Sequence, residues 1–139
     1  MKQRILFICT HNSARSQMAE GLLRHLGGDS FEVFSAGTEA TAVRPLAIKA
    51  MAELGIDISQ QQSKTLDRYL HEPFDMVITV CDTAAEACPI FPGAVQRRHW
   101  SFEDPSKATG SEAEQLAVYR QVRDQIRLRI EQELLAKHT

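Results

Sequence analysis

The chain has only 3 cysteines and 5 histidines in 139 residues, and no C-x2-C pair occurs among them. Scattered imidazoles without clustered thiols exclude the usual zinc frameworks, so no metal and no cofactor is expected. An odd, small number of cysteines is also no disulfide scaffold and raises the question of what each thiol does. No hydrophobic run approaches membrane-spanning length. The N-terminal MKQR followed by ILFIC is too short, and too quickly followed by polar residues, for a secretion signal. The expected setting is therefore the cytosol, with no membrane contact. Net charge is only −2 and the basic residues are dispersed, Arg97-Arg98 being the densest spot, which argues against a nucleic-acid surface. Repeats, linkers and low-complexity segments are missing too. What remains, 43% hydrophobic and 24% charged residues, describes one globular domain with a single core.

Apolar runs at residues 4–9 (RILFIC), 31–37 (FEVFSAG) and 75–81 (DMVITVC) read as strands, the first and third buried on both faces. Residues 96–102 (QRRHWSF) read as a weaker edge strand. Between them, Met18, Leu22, Leu23 and Leu26 mark a helix from about Ser16, stopped by Gly27-Gly28. Pro45 opens a second helix through Leu46, Ala50, Met51 and Leu54, ended by Gly55. Residues 65–70 suit a short helix before Pro73. Ser111 with Glu114 forms a capping-box signature ahead of a long stripe from Leu116 to Leu134. Strands alternating with helices predict an α/β domain: a parallel sheet with helices on both faces. Ligands bind outside the carboxyl ends of such strands. Cys9, Cys81 and the residues after Trp100 all fall there.

Residues 9–16 read CTHNSARS. A C-x5-R spacing alone says little, since this composition supplies one by chance in roughly a quarter of sequences. Its context says more. A loop leaving a strand and entering a helix turns backbone N–H groups into an anion receptor, and the helix N-terminus adds partial positive charge. Thr10, His11, Asn12, Ser13, Ala14, Arg15 and Ser16 are thus the candidate oxyanion-binding residues. Arg15 offers a planar fork for two oxygens of a tetrahedral anion. The same donors are expected to lower the pKa of Cys9 and make it a nucleophile. His11 is expected at the exposed lip of the loop. The bland alternative, a core cysteine beside a surface arginine, suits an isolated match better than this one.

CTHNSARSQMAEG resembles the phosphate-binding loop of the low-molecular-weight tyrosine phosphatase superfamily, and in particular its thioredoxin-coupled arsenate reductase branch. The similarity extends to FEVFSAGTEA, MAELGIDIS, VITVCDTAAEACPIFP and HWSFEDP, essentially the whole chain. It implies a four-stranded parallel sheet of order 2-1-3-4 over residues 1–139. Arsenate would be the substrate, with phosphate or sulfate as mimics, thioredoxin the reductant, and the chain a monomer.

Cys81 and Cys88 enclose DTAAEA, a helix-forming stretch. Two helical turns would hold their Cα atoms about 10 Å apart, beyond the roughly 4.4–6.8 Å of a disulfide. The two are therefore either a strand-end thiol and a helix-end filler, or a pair whose segment must unwind to join them. The resemblance implies the second: Cys9 attacks arsenic, Cys81 resolves the adduct, and Cys88 then takes over the disulfide. It also makes Asp104, ahead of Pro105, the general acid, in preference to Glu103 or Asp82. Phosphomonoester hydrolysis with the same loop is the nearest rival, and a cysteine phosphocarrier a second; neither needs Cys81 and Cys88. Some relatives hold potassium beside the loop through positions matching Asn12, Glu20 and Ser35. Lys64 stands at the accompanying acidic position, where its ammonium would replace the cation.

Overall fold

The computed structural model describes residues 2–81 and 91–135. Four strands, β1 (Gln3–Cys9), β2 (Phe31–Gly37), β3 (Phe74–Thr79) and β4 (Ala94–His99), form one parallel sheet. Its order is β2-β1-β3-β4, as the resemblance implied. The helices are α1 (Arg15–Gly27), α2 (Pro45–Ala52) and α3 (Glu112–Ile130). β3 and β4 begin and end earlier than the apolar pattern suggested. The ladder closes at Thr79 and His99, and Val80–Cys81 and Trp100–Asp104 carry on from the strand ends at the rim.

Local chemistry accounts for the boundaries. Gly28 ends α1 with φ 53° and Gly55 follows α2 with φ 76°, left-handed conformations that suit residues without a Cβ. Pro45 occupies the first turn of α2, where no N–H is needed. The capping box of α3 is complete: Glu114 N donates to Ser111 Oγ (3.1 Å), and Ser111 N donates to Glu114 Oε1 (3.2 Å). α3 finishes in a wider π turn, Glu131–Leu135, which keeps Leu134 in the core. The stretch 65–70 becomes a 3-10 turn, Leu66–Tyr69.

The three helices pack against one another, and α1 lies along β1 and β2. Phe7 meets Trp100 at 6.0 Å between ring centroids. The 3-10 turn brings Tyr69 5.5 Å from Phe34 and 6.1 Å from Phe74. At the amino ends of the strands, the Arg4 guanidinium lies over Phe34 and Phe74 and pairs with Glu32 and Glu72. Far from the rim, this clamp ties β1, β2 and the turn before β3 together.

The chain runs from β1 to β2 on one side and later to β3 on the other. The carboxyl end of β1 is therefore the topological switch point, where an open α/β sheet leaves a crevice. Cys9 closes β1 opposite Gly37 of β2. Gly37 permits the close approach, because a Cβ there would sit 2.7 Å from the Thr10 carbonyl oxygen and 2.8 Å from Asn12 N. Those neighbours are backbone and have little room to yield. Gly37→Ala should cost about 1–3 kcal/mol in urea unfolding, and an unchanged midpoint would mean that the loop moves aside freely.

Candidate active site

Behind the loop, the side chains fix its shape. Asn12 takes a left-handed backbone conformation (φ 48°), and its buried amide organises the surroundings. Asn12 Nδ2 donates to Ser16 Oγ (2.8 Å) and Ser35 Oγ (3.0 Å). Its Oδ1 accepts from Gln17 Nε2 (2.9 Å) and Lys64 N (2.8 Å). Gln17 also donates to the Asn12 and Gln62 carbonyls. The His11 carbonyl takes bonds from Thr41 and Ser63, while its imidazole stands half-exposed at the lip, 3.3 Å from Glu39. Ser13 gives its carbonyl to Arg44 N at 2.9 Å. Thus 10–16 is a braced loop leading into the amino end of α1, whose first N–H groups have no partner within the helix. That is an anion receptor.

Cys9 and Cys81 meet at the floor. Both are buried, and Cys81 lies near enough to Cys9 to raise its proton affinity. Thr10 Oγ1 lies 3.2 Å from Cys81 Sγ and holds the second thiol against the loop. This contact follows from the sheet: Val80 N donates to the Ile8 carbonyl (2.8 Å), so β3 leaves the ladder beside Cys9. The Cys9 pKa is not lowered as its loop position led us to expect. Its hydrogen bond to Cys81 pushes it far above the ordinary thiol value, and burial adds to this; the Arg15 charge and the Thr10 N–H pull the other way and lose. The net direction is upward, which favours the thiol form of Cys9.

Arg15 and Asp104 close the site from opposite sides. Arg15 is buried, donates through Nη1 to the Phe102 carbonyl (3.1 Å), and sets Nη2 3.5 Å from Asp104 Oδ2. Asp104 caps the turn Pro105–Lys107, accepting from Ser106 N (3.0 Å) and Ser106 Oγ (2.7 Å). Burial raises its pKa, but the Ser106 bonds and the Arg15 charge outweigh it and leave the carboxyl below its usual range. Asp104 is thus a carboxylate at rest. A cavity of about 540 Å³ opens between them, lined by Arg15, Cys81, Asp104 and the 102–109 loop. Glu103 lines the same cavity but is exposed, leaving Asp104 as the carboxyl that touches Arg15. Cys88 and Asp82 lie outside the described residues.

A second cluster flanks the loop. Glu20 is buried, accepts a very short bond from Ser35 Oγ, pairs with Arg24 at 2.7 Å, and lies 3.8 Å from Lys64 Nζ. Burial lowers the Lys64 pKa while Glu20 raises it, and the net shift is downward. Asn12, Ser35, Glu20 and Lys64 form one connected unit, with the ammonium beside the carboxylate. Among the described residues, no three His, Cys, Asp or Glu side chains gather as metal ligands.

Gln17, the Thr10 hydroxyl and the Phe102 carbonyl were not foreseen in these roles. Gln17 looks like any helix residue until the chain folds, and a carbonyl leaves no mark in a sequence. The thiol pair itself yields a prediction. Cys81→Ala removes the largest cause of the raised Cys9 pKa, so the midpoint for Cys9 alkylation by iodoacetamide, read by mass spectrometry across pH, should move down. An unchanged midpoint would assign the shift to burial alone.

Comparison with known proteins agrees with this geometry. The family model for low molecular weight phosphotyrosine protein phosphatase matches residues 4–138. An arsenate reductase of Halalkalibacterium halodurans is 52% identical over 129 residues, 93% of each chain. An arsenate reductase solved in its phosphate-binding state superposes with a TM-score of 0.84 at 36% identity, covering 99% of both chains. A thioredoxin-dependent arsenate reductase of Corynebacterium glutamicum gives 0.66 at 29% identity, over 97% of this chain and 63% of that one. A braced C-x5-R loop at the switch point, an aspartate facing its arginine and these likenesses together make the chain a member of the low molecular weight phosphotyrosine protein phosphatase family, in its arsenate reductase branch.

Proposed function

We propose that the chain reduces arsenate to arsenite through three cysteines, with a thioredoxin-type dithiol as the final electron donor. One observation carries the reading: a second buried thiol, Cys81, is held against the loop by Thr10 Oγ1 at 3.2 Å, beside Cys9. Ester hydrolysis has no use for it.

The anion enters the loop and Arg15 turns from Asp104 to two of its oxygens. Asp104 then faces negative charge in place of a guanidinium, which raises its pKa and lets it take up a proton. Cys9 passes its own proton to the dianion and attacks arsenic. Asp104 protonates the departing oxygen, which leaves as water. Cys81 next attacks the Cys9 sulfur; an S–S bond forms, and the electron pair of the S–As bond stays on arsenic, which leaves as arsenite. Thr10 holds Cys81 in line for that attack. Cys88 attacks Cys81 and frees Cys9, and the dithiol of the reductant cleaves the Cys81–Cys88 bridge. Two electrons enter per arsenite released.

Cys9, Arg15 and Asp104 also suffice for phosphomonoester hydrolysis, so slow phosphatase activity accompanies the reduction. Cys81→Ser should abolish arsenate-dependent NADPH oxidation with thioredoxin and thioredoxin reductase, yet leave p-nitrophenyl phosphate hydrolysis within severalfold of the parent rate. Undiminished arsenate reduction would end the relay.

The Lys64 ammonium beside Glu20 takes the place of a bound potassium ion in this scheme. Arsenate turnover should then be equal in potassium and sodium chloride at matched ionic strength. A severalfold advantage for potassium would show that the cation still has a seat.

A further inference from the structure

The cavity in front of the loop is far larger than the ion it would serve. At ~30 Å³ per water, its volume of about 540 Å³ exceeds one tetrahedral oxyanion severalfold. Away from Arg15 and Cys81, its outer wall includes Phe102, Glu103, Lys107, Thr109 and Val118.

In the resting state Arg15 is engaged with Asp104 and with the Phe102 carbonyl. An arriving dianion therefore meets a guanidinium whose charge is largely cancelled. Lys107 is the other cation on the cavity wall. It is exposed, no ion pair joins its ammonium to a carboxylate among the described residues, and its charge helps to hold Asp104 ionised. The turn that carries it is built by Asp104 itself: Asp104 caps Ser106, and Lys107 N donates back to the Asp104 carbonyl at 3.2 Å. The backbone bonds that aim the carboxyl at Arg15 thus also return Lys107 to the same cavity.

We propose that Lys107 is the first-contact cation for the substrate, a positioning residue that binds a free, doubly charged tetrahedral oxyanion at the outer wall before Arg15 releases Asp104 to receive it. The proposal rests on the arsenate reductase reading for its substrate, but the site is defined by charge and applies to any such anion. Holding the anion near Asp104 also supplies the negative charge that breaks the Arg15–Asp104 pair.

The test compares Lys107→Gln and Lys107→Arg with the parent in two assays. Inorganic phosphate binding to the reduced protein is followed by calorimetry at low and high ionic strength. Arsenate turnover is followed with thioredoxin and thioredoxin reductase. Removing one unit charge that faces a dianion across the cavity should weaken phosphate binding and raise the arsenate KM by about tenfold at low salt. kcat should fall by less than about threefold. Lys107→Arg should recover most of the loss, and the difference between parent and Lys107→Gln should shrink as salt screens the charge. Equal phosphate affinity in parent and Lys107→Gln at low salt would overturn the proposal. So would a loss that Lys107→Arg fails to repair or that salt leaves unchanged, because that marks a structural role. If the parent binds phosphate but reduces no arsenate, the functional reading fails while the calorimetry still decides the role of Lys107.

Discussion

The Val80 N–H donates to the Ile8 carbonyl across 2.8 Å, and the placement of both thiols depends on that bond. β1 has parallel neighbours on both sides. On one side, Gly37 comes close enough for Thr38 N to reach the Cys9 carbonyl at 3.3 Å. On the other, the β3 ladder runs to Thr79 and Val80 extends it by one bond, so that Cys81 leaves the sheet next to Cys9. The core behind this rim is apolar, with Ile5, Leu6, Phe7, Ile8, Val77 and Ile78 fully buried. Sliding β3 by one residue would turn its inward side chains to the opposite face. The thiol contact is therefore fixed by the packing of strands whose chemistry is otherwise inert.

Electrostatics on the two sides of the loop follow one pattern. The buried charges beside the loop have internal partners: Arg15 has Asp104, and Glu20 has Arg24 and Lys64. Cys9 keeps its proton. This arrangement avoids unpaired buried charge, which would be costly. It also means that the reactive state is assembled by the substrate. A dianion can compete for Arg15, and in the proposed scheme that single exchange changes the proton affinities of both Asp104 and Cys9.

Much of this was legible in the sequence because it was local. A strand run ending in cysteine, a short polar loop and a helix stripe are contiguous, and so are Ser111 and Glu114 or the glycines at the helix ends. The resemblance of CTHNSARSQMAEG to a known loop then supplied the sheet order and the choice of Asp104 over Glu103. Other features were not legible, each for a physical reason. Thr10 reaches Cys81 across 71 positions, and Gln17 reads as an ordinary helical residue although its amide locks Asn12. The lowered Cys9 pKa was inferred from donors alone. Burial and a neighbouring thiol oppose those donors, and both arise only when β1 and β3 pair. β4 was placed late because its polar Gln96, Arg97 and Arg98 interrupt any apolar run, while Trp100 just beyond it is apolar.

The raised pKa of Cys9 finally bears on which chemistry suits the loop. An enzyme that only hydrolysed esters would gain from a thiolate ready at neutral pH. A second thiol bonded to the nucleophile works against that, since it stabilises the protonated form. For a reductase the same contact shortens the second step, because Cys81 need not travel to reach the Cys9 sulfur once arsenic is attached. Thiol–disulfide chemistry also rewards a nucleophile that is not too acidic, as attacking power falls with pKa. A site that gives up resting acidity at Cys9 and holds Cys81 beside the loop suits the proposed two-electron transfer between sulfurs better than it suits ester hydrolysis.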